Sequence, residues 1–137
     1  VDLGGVATDV ARYLAPMIVG AGRNIELKIE NGPVLVSGAK DFIFRALRNL
    51  VENALHHSPE NGMITITVFN VGISVADQGP GFTKGRLREE IGMLGKTDRE
   101  DGLGLGLSIV GETMAAHDGR IVLANLPSGG AVATMAF

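Results

Sequence analysis

The chain has 137 residues, 45% of them hydrophobic and only 20% charged, which describes one compact globular domain with a single core rather than a disordered segment. A formal net charge of −3 argues against a basic nucleic-acid surface or a polybasic membrane patch. The absence of cysteine excludes disulfides, zinc-cysteine sites and thiol catalysis.

From Leu3 to about Val19 apolar residues recur at helical spacing, with Asp2 as N-cap, and Pro16 predicts a kink or an early end. Ile25 to Ile29 alternates as a strand. Asn31-Gly32 then predicts a tight turn into a second strand over Val34 to Val36. The strongest helix pattern runs from about Ala39 to His57 and is ended by Ser58-Pro59. Residues Met63 to Phe69 and Val71 to Ala76 read as a hairpin turning near Asn70.

The stretch from Gln78 to Leu103 is rich in glycine and charge, with one short helical possibility from Leu87 to Met93. A loop of that length in a compact domain points to a functional role or to mobility. A further helix is expected from Leu105 to about His117, stopped by Gly119, then closing strands over Arg120 to Ala124 and Ala131 to Phe137. This order predicts an α+β two-layer sandwich, residues 1–137 forming one domain, with helices on one face of a mixed sheet. The chain starts without Met and stops in mid-pattern, so it reads as a fragment of a longer protein. No stretch is long enough to span a bilayer, and none has the form of a secretory leader.

Three segments carry chemistry. On the long helix, Asn49, Glu52, Asn53, His56 and His57 fall on one arc, opposite Ile43, Leu47, Leu50, Val51, Ala54 and Leu55. Asn is a modest helix former, so a pair at i, i+4 suggests that the amides are used. An amide oxygen is a hard neutral ligand suited to Mg²⁺, although a solvated polar face remains the ordinary alternative. Asp77 ends an apolar strand and leads into Gln78-Gly79-Pro80-Gly81, where a carboxylate can accept from an exocyclic amino group and glycines let backbone lie against a flat base. The same residues also suit a plain Pro-Gly turn. Gly102-Leu103-Gly104-Leu105-Gly106-Leu107-Ser108 runs straight into a helix, and its free amides and helix dipole suit an anion better than a hinge.

Two familiar motifs fail. Gly95-Lys96-Thr97 lacks the first P-loop glycine, whose place is taken by Glu90. The glycine run puts Leu107 or Ile109 where a dinucleotide fingerprint needs its last glycine.

Together the segments resemble the catalytic and ATP-binding domain of bacterial sensor histidine kinases, in the superfamily that also holds gyrase B, Hsp90 and MutL. Asn49 to Pro59 resembles the N box, Asp77 to Phe82 the G1 box, and Gly102 to Val110 the G2 box. His117-Asp118-Gly119 and Gly129-Gly130 match the closing region. The resemblance implies a Bergerat-type fold with three main helices and a long ATP lid.

It also implies roles. Asn49 and Asn53 would hold Mg²⁺ and phosphates, Asp77 would bind the adenine amino group, and Gly79 and Gly81 would shape the pocket. His57 would contact the nucleotide. Backbone from Gly102 through Leu103, Gly104, Leu105, Gly106 and Leu107 would line the phosphates. His56 stands where many relatives carry Lys or Arg, the lid lacks a Phe-rich F box, and Lys96 and Arg99 are the available lid cations. The implied reaction is transfer of the γ-phosphoryl group of ATP to a histidine on a dimerisation and phosphoacceptor domain of the same protein, with a response regulator downstream. That domain is absent here, so the fragment is expected to be monomeric, cytoplasmic, free of nucleic acid and unable to autophosphorylate, whether or not the parent is membrane-anchored.

Two other readings stand beside it. A hydrolase or serine kinase of the same superfamily would need a carboxylate base, for which Glu52 is the one nearby candidate on that face. A non-catalytic interaction module would draw its support from His56 and the reduced lid.

Overall fold

A computed structural model describes residues 1–30, 32–83 and 104–137, without the side chains of 104–106. Within them the order is α1 (Leu3–Gly20), β1 (Asn24–Ile29), α2 (Lys40–His57), β2 (Met63–Phe69), β3 (Gly72–Ala76), α3 (Gly104–Ala116), β4 (Arg120–Asn125) and β5 (Ala131–Ala136). The strands form one mixed sheet in the order β1-β2-β3-β5-β4. This is the expected two-layer sandwich. Alternate strand residues supply its core (Ile64, Ile66, Val68, Ile73, Val75, Ile121, Leu123, Ala133, Met135), packed against Leu14, Ile18, Leu47, Leu50, Leu107 and Met114 of the helices.

The first hairpin expected from the sequence does not form. β1 instead pairs in parallel with β2, from Asn24 opposite Met63 to Ile29 opposite Val68. A parallel pair needs a long crossover, and α2 supplies it. The Val34–Val36 stretch pairs with the start of the chain, through Leu3 N–H to the Val34 carbonyl (2.9 Å) and Val36 N–H to the Val1 carbonyl (2.9 Å). Three residues offer too short a ladder to outcompete six.

Of the two outcomes expected at Pro16 the early end does not occur, because α1 continues through it to Gly20. Pro16 and Arg12, one turn before it, are both exposed, so the hydrogen bond that proline cannot make is lost on the water-facing side of the helix. At the end of α3 the left-handed residue is Asp118 (φ 58°), not Gly119. Gly119 is required for space, since a Cβ there would strike the Ala136 carbonyl oxygen. Among the described residues no helix is long and apolar enough to cross a membrane.

Candidate functional site

α2 owes its geometry to an apolar stripe (Ile43, Ala46, Leu47, Leu50, Val51, Ala54) that seats it on the sheet. Its polar residues do not form the uniformly solvated face that was the ordinary alternative. Asn53 is only 8% exposed, whereas Glu52 and His56 are exposed and Asn49 and His57 are half-buried. Asn53 is therefore nearly closed to bulk water, while the arc that bears Glu52 and His56 is wet.

Three side-chain atoms of this helix are chemically unfinished: Arg48 Nε and one amide atom on each of two asparagines. Asn49 Nδ2 and Asn53 Oδ1 are buried with no hydrogen-bond partner among the described residues. Such an atom forfeits on the order of 1–3 kcal/mol of hydration. A buried amide oxygen is also the donor a hard cation takes, so Asn53 Oδ1 fits Mg²⁺, whereas the orphaned Asn49 Nδ2 is an N–H donor that fits an anion oxygen such as a phosphate's. Among the described residues no group of three His, Asp or Glu could hold a metal, so a divalent ion here would rest on amide oxygen and ligand.

Asp77 lies just beyond β3 and is 6% exposed. Burial pushes its carboxyl up from the ordinary value of 3.8, while backbone hydrogen bonding at Gly79 and Ala131 and the charge of nearby His57 pull the other way. The Gly79 amide donates to Asp77 Oδ1 at 2.8 Å, and the Asp77 amide donates to the Ala131 carbonyl at 2.9 Å. Glycine is obligatory around it. A Cβ on Gly79 would collide with the His57 carbonyl oxygen, and one on Gly130 with the carbonyl of Asp77. The end of α2 and the Asp77 turn thus touch directly, which brings two of the three sequence segments together.

The third segment forms the start of α3. Gly104, Leu105 and Gly106 are helical, and the Leu107 side chain is 1% exposed in the core, so any phosphate contact there belongs to backbone. Gly102, Leu103, Lys96 and Arg99, with most of the expected lid, lie outside the described residues. Glu52 sits in the exposed arc with Oε1 3.8 Å from Arg48 Nε, paired along its own helix. His56 and His57 meet edge to face, 5.3 Å between ring centres.

Sequence reasoning missed two supports. Asn125 at the end of β4 accepts from the Phe82 amide (2.7 Å) and donates to the Phe82 carbonyl (3.0 Å), pinning the backbone after Gly81. Gly81, at φ +88°, has the Asn125 amide where a Cβ would stand. Arg23 donates to the Ser58 carbonyl through Nη2 (2.9 Å) and Nε (3.3 Å), placing a cation at the C-terminal end of α2. Neither pairing leaves a local trace, since each joins residues far apart in sequence.

The profile of the family described as "Histidine kinase-, DNA gyrase B-, and HSP90-like ATPase" matches residues 38–137. The chain is 31% identical to the adaptive-response sensory kinase SasA of Parasynechococcus marenigrum (strain WH8102), over 97% of this chain and 37% of that protein. It is 34% identical to the alginate biosynthesis sensor protein KinB of Pseudomonas aeruginosa, over 95% of this chain and 23% of that protein. The chain therefore spans well under half the length of these relatives. Among solved structures, the nucleotide-free catalytic domain of the histidine kinase ThkA superposes with a TM-score of 0.83 at 26% identity, covering 98% of this chain and 91% of that one.

Proposed function

The chain belongs to the histidine kinase-, DNA gyrase B- and HSP90-like ATPase family, and from that premise we propose that it binds ATP–Mg²⁺ and presents the γ-phosphate to a histidine on a phosphoacceptor domain elsewhere in the same protein. One observation carries the nucleotide reading: buried, unpartnered amide atoms of Asn49 and Asn53 on the helix whose end abuts the buried Asp77 turn. The names of SasA, KinB and ThkA, all sensor proteins or histidine kinases, support the choice of reaction. We place the domain in the cytoplasm, as a monomer, with a response regulator as the indirect partner and no nucleic acid.

In this reading Asp77 accepts the adenine amino group in a charge-assisted hydrogen bond, held in direction by the Gly79 amide. Gly79 and Gly81 keep the pocket wall free of side chains, and His57 borders it. Asn49 and Asn53 hold the metal–phosphate unit, and backbone from Gly102 to Leu107 lines the phosphates. Lys96 and Arg99 are the cations assigned to phosphate charge, and His56 takes the place where many relatives carry Lys or Arg. Bound Mg²⁺ supplies charge neutralisation across the phosphates. The protein's part is positioning and exclusion of water, not covalent chemistry.

Hydrolysis or transfer to a hydroxyl would need a general base, and Glu52 is a poor one where it stands, exposed and paired with Arg48. The decisive assay supplies the phosphoacceptor domain with labelled ATP and Mg²⁺. Acid-labile phosphohistidine that requires Asn53 and Asp77 is expected. Phosphate release without phosphohistidine would replace this reading with hydrolysis.

A further inference from the structure

The two ends of α2 are fastened from outside the helix. At its start Ala39 has no side chain able to cap. Its N–H is instead taken by His117 Nε2, 3.1 Å away, from the residue just past the end of α3. The other ring nitrogen, Nδ1, lies 2.7 Å from the Thr113 carbonyl one turn back. A carbonyl only accepts and an amide only donates, so Nδ1 carries the proton and Nε2 offers its lone pair. The ring is neutral and in one tautomer.

The surroundings hold that ring in place. A Cβ on Gly38 would overlap it, so glycine there makes room for the imidazole beside the helix start. Phe137 packs against it edge to face at 6.1 Å. His117 lies in a groove of about 320 Å³ between the two helices, whose charged lining residues are Arg45 from α2 and Glu112 from α3. Lys40 is drawn to Asp9 at 3.7 Å, and Asp118 follows the histidine at the turn.

We propose that His117 is a positioning residue for the nucleotide site: its neutral imidazole locks the end of α3 to the start of α2, and its protonation releases that lock. The functional half of the proposal rests on the nucleotide reading above. α2 carries Asn49 and Asn53, and the other end of α3 carries Gly104 and Gly106. Their relative placement therefore depends on how the two helices are tied. An imidazolium has two donors and no acceptor, so it must drop the Ala39 N–H, and the positive end of α2 repels it further.

The test uses the whole chain, with amide-exchange protection of Ala39 and ATP–Mg²⁺ affinity followed from pH 8 to pH 5. His117→Gln keeps an acceptor with nothing to titrate, and His117→Ala keeps neither. A cap of this kind predicts that wild-type Ala39 protection falls about fivefold on acidification. His117→Gln should stay level, and His117→Ala should be low throughout. Affinity, taken as the ratio of wild type to His117→Gln so that titration of ATP cancels, should fall in the same pH range. Wild type and His117→Gln sharing one pH profile for Ala39 would overturn the tie, and this comparison stands even if His117→Ala does not fold. A lost tie with an unchanged affinity ratio would overturn the positioning role. Ala39 protection is read without nucleotide, so a chain that binds no ATP is recognised separately as a failure of the functional reading.

Discussion

α1 and α2 are both 18 residues long and lie on the same face of one sheet, yet they are built on opposite principles. α1 buries only apolar side chains and glycine (Leu3, Gly4, Val6, Ala7, Val10, Leu14, Ile18), and it carries its own cap, Asp2 Oδ1 accepting from Gly4 N–H at 3.0 Å. α2 buries Asn53 among its apolar residues, leaves amide atoms unpaired, and takes its end contacts from His117 and Arg23. Polar atoms without partners destabilise a fold, so their presence, among the described residues, on α2 and not on α1 separates site from scaffold.

Substitutions on the two helices should dissociate stability from binding. Leu14→Ala on α1 removes a side chain 2% exposed and is expected to cost about 2–5 kcal/mol in denaturant unfolding, with ATP–Mg²⁺ affinity of the folded fraction unchanged. Loss of affinity in that variant would mean that α1 belongs to the site. Asn49→Ala on α2 should do the reverse. Phosphohistidine formation should drop by on the order of a hundredfold, as for loss of a site interaction worth about 3 kcal/mol, while the melting temperature barely moves.

Asp77→Asn keeps an acceptor for Gly79 but loses the charge, and nucleotide affinity should fall about tenfold, a charge-assisted bond being worth about 1.5–3 kcal/mol. Its stability effect has the opposite sign. The Asp77 pKa is raised in the folded state, so the folded protein binds more protons and ionisation weakens the fold as pH rises above 3.8 through the raised value. Melting curves at pH 7 should find Asp77→Asn as stable as wild type or more so. A clear loss of stability at pH 7 would show that the carboxylate supports the fold. The smallest effect is expected from Asp2→Ala, about 1 kcal/mol of stability with no change in nucleotide affinity.

The helices and the site segments were legible because their signals are local. The 3.6-residue stripe of α2, the Ser58-Pro59 stop and the glycines around Asp77 each state their case within a few residues. The strand pairing of β1 was not. Asn31-Gly32 is a sound turn signal, but the partner of β1 is decided by the crossover through α2 and by six residues of register with β2. The wheel for α2 was right about which residues are polar. It could not show that the flank bearing Asn53 would be buried and the arc bearing Glu52 left wet, because that depends on what packs alongside. His117, Arg23 and Asn125 act across 35 to 78 residues of sequence, beyond the reach of any spacing argument.

If the unpaired amides of α2 belong to a nucleotide, removing one of them must weaken binding without weakening the fold. Calorimetric titration of ATP–Mg²⁺ into wild type and Asn53→Ala tests it most directly, with melting curves on both. Saturable one-to-one binding that depends on Mg²⁺ is expected in the wild type, and binding weakened at least tenfold in Asn53→Ala at undiminished melting temperature. Equal affinity in the two proteins, or no binding in the wild type, would contradict it.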